Sequence, residues 1–266
     1  MSSHDQRPMK EPSPRTAAAL IIGNELLNGK IEEQNVVVLA RSLRTLGIAL
    51  RRIVFIPDEI PIIVQEVRSL SSSFDILFTS GGVGPTHDDV TIEAVARAFD
   101  THVDTHEPTA EMIRRHFGDG LKPGHLLMAR VPQGCNLVTD DDGKWPTILM
   151  RNVWVLPGVP EIFRMRLVAI KKHLAGAHPF VCREVYTRLD EGNLVPLLNQ
   201  IVEQFPTVDV GSYPKWNHPS YKTKLTFDGL DEQAVENACQ AFIRLLPEGE
   251  PLQIEGDCVA TRNQVG

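Results

Sequence analysis

Three short, almost wholly apolar runs limit what this chain can fold into more than any other feature. Residues 17–22 read Ala-Ala-Ala-Leu-Ile-Ile, 76–79 read Ile-Leu-Phe-Thr, and 152–156 read Asn-Val-Trp-Val-Leu. A strand without polar alternation is one covered on both faces, which is the habit of parallel sheets in α/β proteins. Each run leads into a glycine-bearing turn: Gly23 after the first, Gly81, Gly82 and Gly84 after the second, Pro157-Gly158 after the third. Helical patterns lie between them. Residues 34–46 set Val37, Val38, Ala40, Leu43 and Leu46 at helical spacing, and Gly47 stops the helix. Residues 49–56 read as the next strand, and 58–70 as a helix with Ile62, Ile63, Val67 and Leu70 inward. Strand and helix alternate at the pace of βα units, so the prediction is an α/β fold with a mostly parallel sheet and helices on both faces. Ligands of such sheets bind beyond the carboxyl ends of the strands. The loops after residues 22 and 79 therefore open on one rim.

The middle is less regular, with a helix predicted around 109–117 and another over 161–174. Breakers around 176–179 predict a domain boundary. Beyond it, strand 181–188, helix 191–204, strand 208–213, strand 221–227 and helix 231–246 suit a small α+β sandwich. The expected organisation is a tail over 1–15, an α/β domain over 16–177, a small α+β domain over 178–250 and a tail over 251–266. The 266 residues, 42% apolar, are enough for such cores. The net charge of −7 argues against a nucleic-acid surface, because no basic stripe would attract a polyanion. No apolar stretch is long enough for a membrane span, and the start lacks a signal core. Cys135, Cys182, Cys239 and Cys258 fit neither a zinc site nor a disulfide framework, so a reducing cytoplasm is expected.

The chemistry concentrates in Gly81-Gly82-Val83-Gly84-Pro85-Thr86-His87-Asp88-Asp89-Val90-Thr91. A glycine turn that opens a helix offers peptide N–H groups where phosphate can sit. Two adjacent carboxylates would repel that phosphate unless a divalent cation lay between them. Thr86 and Asp89 have the spacing of a capping box, which accounts for one aspartate but not both. Asp88 and Asp89 are thus the candidate catalytic and metal-holding pair: either they hold a cation, or one activates a water for attack on phosphorus. Gly81, Gly82 and Gly84 are candidates to cradle phosphate, with Thr86 and His87 in the same turn. In Gly23-Asn24-Glu25-Leu26-Leu27-Asn28-Gly29, Glu25 is a candidate for a ribose hydroxyl or a metal. Asn35 either caps its helix or contacts a ligand. Gly158 allows close approach in a rigid proline turn, and Glu161 stands at a helix start. No P-loop, complete dinucleotide fingerprint or serine-nucleophile elbow occurs. Residues 140–142, three aspartates, read as a solvated loop. His102, His106, His116 and His125 lack ligand spacing and read as incidental.

These segments resemble the molybdopterin-binding-like domain of the competence/damage-inducible protein A family. The similarity is closer still to the N-terminal domain of eukaryotic FAD synthases. It rests on the Gly-Pro-Thr-His-Asp-Asp-Val-Thr string from Gly84 to Thr91, on residues 152–161, and on Gly211-Ser212-Tyr213-Pro214-Lys215-Trp216. It extends over roughly residues 16–250. The resemblance implies a three-layer α/β/α fold followed by a small α+β domain. It also implies metal-dependent hydrolysis of a nucleotide diphosphate, either FAD to FMN and AMP or ADP-ribose, with magnesium, manganese or cobalt as cofactor, and a homo-oligomer. A non-catalytic module binding molybdopterin or a flavin nucleotide is the alternative. Asn24 departs from the Asp or Thr usual there, and Leu127-Met128-Ala129-Arg130 departs from the competence-inducible pattern, which favours the FAD-type branch.

Overall fold

The computed structural model describes residues 15–139, 145–175 and 178–256. All of the expected tail 1–15 except Arg15, and the aspartates at 140–142, lie outside these residues. The chain divides into two compact units, residues 1–176 and 177–266.

The first unit runs β1 (Arg15–Ile22), α1 (Asn24–Leu27), α2 (Asn35–Arg44), β2 (Ile48–Ile56), α3 (Ile60–Ser73), β3 (Ile76–Ser80) and α4 (Thr91–Ala98). It continues β4 (Val103–Thr105), α5 (Glu107–Phe117), α6 (Pro123–Leu126), β5 (Arg130–Pro132), β6 (Asn136–Val138), β7 (Thr147–Met150), β8 (Val153–Leu156) and α7 (Pro160–Leu174). Its main sheet has the order β2-β1-β3-β8-β7-β6. The first four strands are parallel, and β7 pairs antiparallel with both β8 and β6. Period-two alternation sends each apolar strand into both helix layers. Ala17, Ala19, Ile21, Phe78 and Trp154 pack against Leu39 and Leu43 of α2 and Phe163, Leu167 and Ile170 of α7. Ala18, Leu20, Ile22, Leu77 and Val153 pack on the other side against Ile63, Val67 and Leu70 of α3 and Ala94 and Val95 of α4. This is a three-layer α/β/α fold. Burying a side chain such as Phe78 or Leu20 contributes about 1.5–3 kcal/mol, so the wholly apolar runs are the spine of the unit. A separate small core, Ala110, Ile113 and Ala129, joins α5 and α6 to Met128 and Trp145.

The second unit runs β9 (Val181–Thr187), α8 (Glu191–Gln204), β10 (Asp209–Pro214), β11 (Thr223–Gly229), α9 (Glu232–Leu245) and β12 (Gln253–Gly256). Its sheet has the order β10-β11-β9-β12, with each pair antiparallel. Val185, Leu225 and Phe227 meet Leu194 and Ile201 of α8 and Val235, Ala238 and Phe242 of α9. β12 corrects the tail expected over 251–266. Four residues carry little periodic signal, and pairing with β9 is what makes them a strand. Cys182 is disulfide-bonded, against the expectation of thiols throughout, while Cys135 and Cys239 are free. Cys258 lies outside the described residues.

Candidate functional site

The β3–α4 loop is built on glycine because backbone meets backbone there. Gly81 and Gly82 have φ of +110° and +65°. A Cβ on Gly81 would lie 2.0 Å from the carbonyl oxygen of Ile22. The N–H of Gly81 donates to Leu156 O at 3.1 Å, so β1, β3 and β8 meet at this point. Gly158 also rests on Gly81, its would-be Cβ 3.4 Å from the Gly81 Cα. Asn35 Nδ2 donates to Ser80 Oγ at 3.1 Å and to Gly158 O at 2.8 Å. Asn35 therefore ties the loops of β3 and β8 together rather than capping α2; Glu33 does that, accepting the N–H of Val36 at 2.7 Å. From the far side of the turn, Thr91 donates its N–H to Gly82 O at 2.9 Å and its hydroxyl to Gly81 O at 2.8 Å. Held in this way, the N–H groups of Gly82, Val83 and Gly84 have no acceptor among the described residues.

The expected capping box does not form, because α4 begins at Thr91 with Val90 before it. Thr86 and Asp89 close a turn of their own. The Thr86 N–H donates to Asp89 Oδ2 at 2.8 Å, the Thr86 hydroxyl donates to the same oxygen, and Asp89 N–H donates to Thr86 O at 3.2 Å. The Thr86 hydroxyl, followed by its own backbone N–H, also lowers the Asp88 carboxyl below its ordinary value.

A cavity of about 1150 Å³ opens over this loop. Of the sequence candidates, Glu25, Asn35, Gly81, Gly82, Gly84, Thr86, Asp89 and Gly158 line it. Asp88, His87 and Glu161 are not among its lining residues. The His87 side chain is 97% exposed, with Nδ1 3.8 Å from Asp88 Oδ1. Neighbouring aspartates thus diverge, and only Asp89 faces the cavity, because the Thr86 turn pulls its carboxylate back against Gly84. Asn24 is not a lining residue either, and its N–H is held by Asp58 at 2.8 Å.

Several lining residues carried no usable signal in the sequence. Arg130, whose guanidinium lies 3.4 Å from Glu93, and Met128 come from the stretch noted only as a departure. Phe117 and Trp145 come from the irregular middle. The histidines there have structural tasks: His106 Nδ1 accepts the N–H of Thr109 at the start of α5, and His125 stacks on Phe117 at 3.8 Å.

The lining holds four carboxylates, on Glu25, Glu32, Glu33 and Asp89, and two guanidinium groups, on Arg130 and Arg166. Among the described residues no group of three or more His, Cys, Asp or Glu could hold a metal. That set does not suit a cation caged wholly by protein. It does suit a hard cation shared with phosphate oxygens and water, which needs only one or two carboxylates. Among the described residues, no helix is long and apolar enough to cross a membrane.

The family described as "Probable molybdopterin binding domain" matches residues 18–175, and "FAD synthase, middle domain" matches 179–253. A protein of Archaeoglobus fulgidus, whose name assigns no activity, is 33% identical over 85% of this chain and 95% of its own length. The "Probable FAD synthase" of Caenorhabditis elegans is 30% identical over 90% of this chain, which spans about half (51%) of that relative. The crystal structure of CinA, of unknown function, from Thermoplasma acidophilum superposes with a TM-score of 0.55 at 28% identity, covering 61% of this chain and 99% of that one. With the family model over residues 18–175 spanning more than half its length, the chain belongs to the family of molybdopterin-binding-type domains, here followed by a segment that matches the FAD synthase middle domain.

Proposed function

We propose that the first unit hydrolyses the diphosphate bridge of a dinucleotide-type substrate, FAD or ADP-ribose, with release of AMP. One observation carries this reading: peptide N–H groups without acceptors at Gly82, Val83 and Gly84 share a large cavity with Asp89. The names of the nematode relatives support a flavin nucleotide as cargo. Water oxygen bonds to one phosphorus, the bridging P–O bond breaks, and two monophosphates result. Gly82 to Gly84 receive phosphate oxygens at fixed dipoles, which need no reorganisation during the reaction. Asp89 is the group placed to hold a magnesium, manganese or cobalt ion, or to orient and deprotonate the attacking water. The ion, when bound, supplies charge neutralisation that a lining richer in carboxylates than guanidiniums lacks. Glu25 stands at the same rim as a ribose or metal contact.

The test is AMP release from FAD and from ADP-ribose, with each of the three ions and with a chelator. The expected result is turnover that Asp89→Ala and the chelator both abolish. A second reading, a binding module without turnover, is supported by the match of residues 18–175 to a family described by binding alone. It predicts ligand-induced stabilisation with no AMP formed.

A further inference from the structure

The longest described strand stands at an edge. β2 runs for nine residues, Ile48–Ile56, at one end of the order β2-β1-β3-β8-β7-β6. It pairs with β1, so among the described residues no strand takes up the N–H and C=O groups of its outer side. Proteins blunt such an edge with shortness, proline, charge or a bulge. β2 has the last two in one place: Arg51 is the extra residue where the register shifts between Ala17 and Ala18, and Arg52 follows it. The rest of the edge is apolar. Ile53 and Phe55 stand beside Ala19 and Ile21 on the α2–α7 side of the sheet, and each is 43% exposed.

Charge separates the possible occupants. From Gln34 to Pro57 the sequence holds four arginines and no Asp or Glu, within a chain of net charge −7. Arg51 and Arg52 are exposed, and their guanidinium groups have no partner among the described residues. Arg68, Arg97, Arg114 and Arg130 of the same unit each hold a carboxylate instead. A second copy of this edge would add two more arginines and no acid, which works against self-pairing. A carboxylate-bearing strand would instead meet two unpaired guanidinium forks, which match carboxylates in shape and charge.

We propose that β2 is a docking edge for an extended acidic segment of a partner protein, which adds to the sheet as a further strand. Its backbone bonds to the outer groups of β2, its carboxylates meet Arg51 and Arg52, and its apolar side chains lie along Ile53 and Phe55. In strand addition the main chain supplies affinity and alternate side chains select the partner. Neither arginine lines the cavity, so this edge is separate from the proposed hydrolysis.

The experiment follows the fluorescence anisotropy of a labelled peptide, Glu-Glu-Val-Thr-Val-Glu-Glu, titrated with the full chain. Its sequence is the same in either strand direction. The controls are its lysine counterpart, Lys-Lys-Val-Thr-Val-Lys-Lys, and two forms N-methylated at one or the other alternate set of amides. Saturable binding of the acidic peptide below about 1 mM is expected. Arg51→Glu with Arg52→Glu should weaken it about tenfold or more, with the melting curve unchanged. Should that pair melt early, Arg51→Gln with Arg52→Gln takes its place, with the same loss expected. A strand turns alternate amides to its neighbour, so one methylated form should lose about tenfold and the other much less. No saturation by the acidic peptide, equal binding of its lysine counterpart, or equal behaviour of the two methylated forms overturns the proposal. A dimer in sedimentation velocity that Phe55→Lys dissociates would give the edge to a second copy, and overturns it too.

Discussion

At the scale of single residues, two neighbours with identical side chains have different fates. Asp89 faces the cavity and is bonded twice by Thr86, while Asp88 stays outside the lining with a side chain 60% exposed. Asp89→Asn is expected to lower kcat for diphosphate hydrolysis about a hundredfold or more, the scale of a lost acid–base or charge-holding group. Asp88→Asn should change it by no more than about fivefold, because an exposed charge is well screened. Comparable losses in both variants, measured by AMP release, would remove this distinction. The Asp-Asp pair was legible in the sequence, but which member faces the ligand was not, since that depends on a turn that starts α4 two residues after Asp89 instead of around it. Gly81 makes a sharper case. A Cβ there meets a main-chain oxygen at 2.0 Å and sits on a φ that side chains avoid. Gly81→Ala should therefore destabilise by about 3 kcal/mol or more, read as a shift in the urea midpoint.

At the scale of elements, long periodic segments could be read and short ones could not. The predicted strand over 17–22 and helices over 34–46 and 161–174 correspond to β1, α2 and α7 within a few residues, because repeated burial leaves a repeated pattern. β4, β5, β6 and β12 span three or four residues each, too few for any period to declare itself, and partner strands decide them. The aromatic lining residues Phe117 and Trp145 were hidden for the same reason. The sheet also depends on polar ties that no pattern reveals. Asp75 Oδ2 accepts the N–H and the hydroxyl of Thr16 at 2.7 and 2.8 Å, pinning the start of β1 to that of β3. Thr16, first through its N–H and then through its hydroxyl, holds the Asp75 carboxyl below its ordinary value. A lowered folded-state pKa contributes stability at pH above the ordinary aspartate value of about 3.9, and that contribution is lost as pH falls below it. Melting temperatures between pH 7 and pH 3 should fall more steeply for the unaltered chain than for Asp75→Asn. The tie is exposed, so its share is less than about 1 kcal/mol.

At the scale of the whole molecule, each unit has its own core and its own complete sheet. A chain ending at residue 176 is expected to fold cooperatively and to keep the proposed hydrolysis, since every lining residue of the cavity precedes that point. A fragment that melts without a transition, or folds but releases no AMP where the full chain does, would show that the second unit is required. Within the first unit, the glycine loop is fixed by main-chain contacts to β1 and β8, whereas α5 and α6 stand on a core of their own. The glycine floor and the α5–α6 segment can therefore be exchanged independently. A relative's α5–α6 segment grafted onto this floor would reshape the cavity lining and leave the glycine turn as it is, so the pocket of this scaffold can vary by one local replacement.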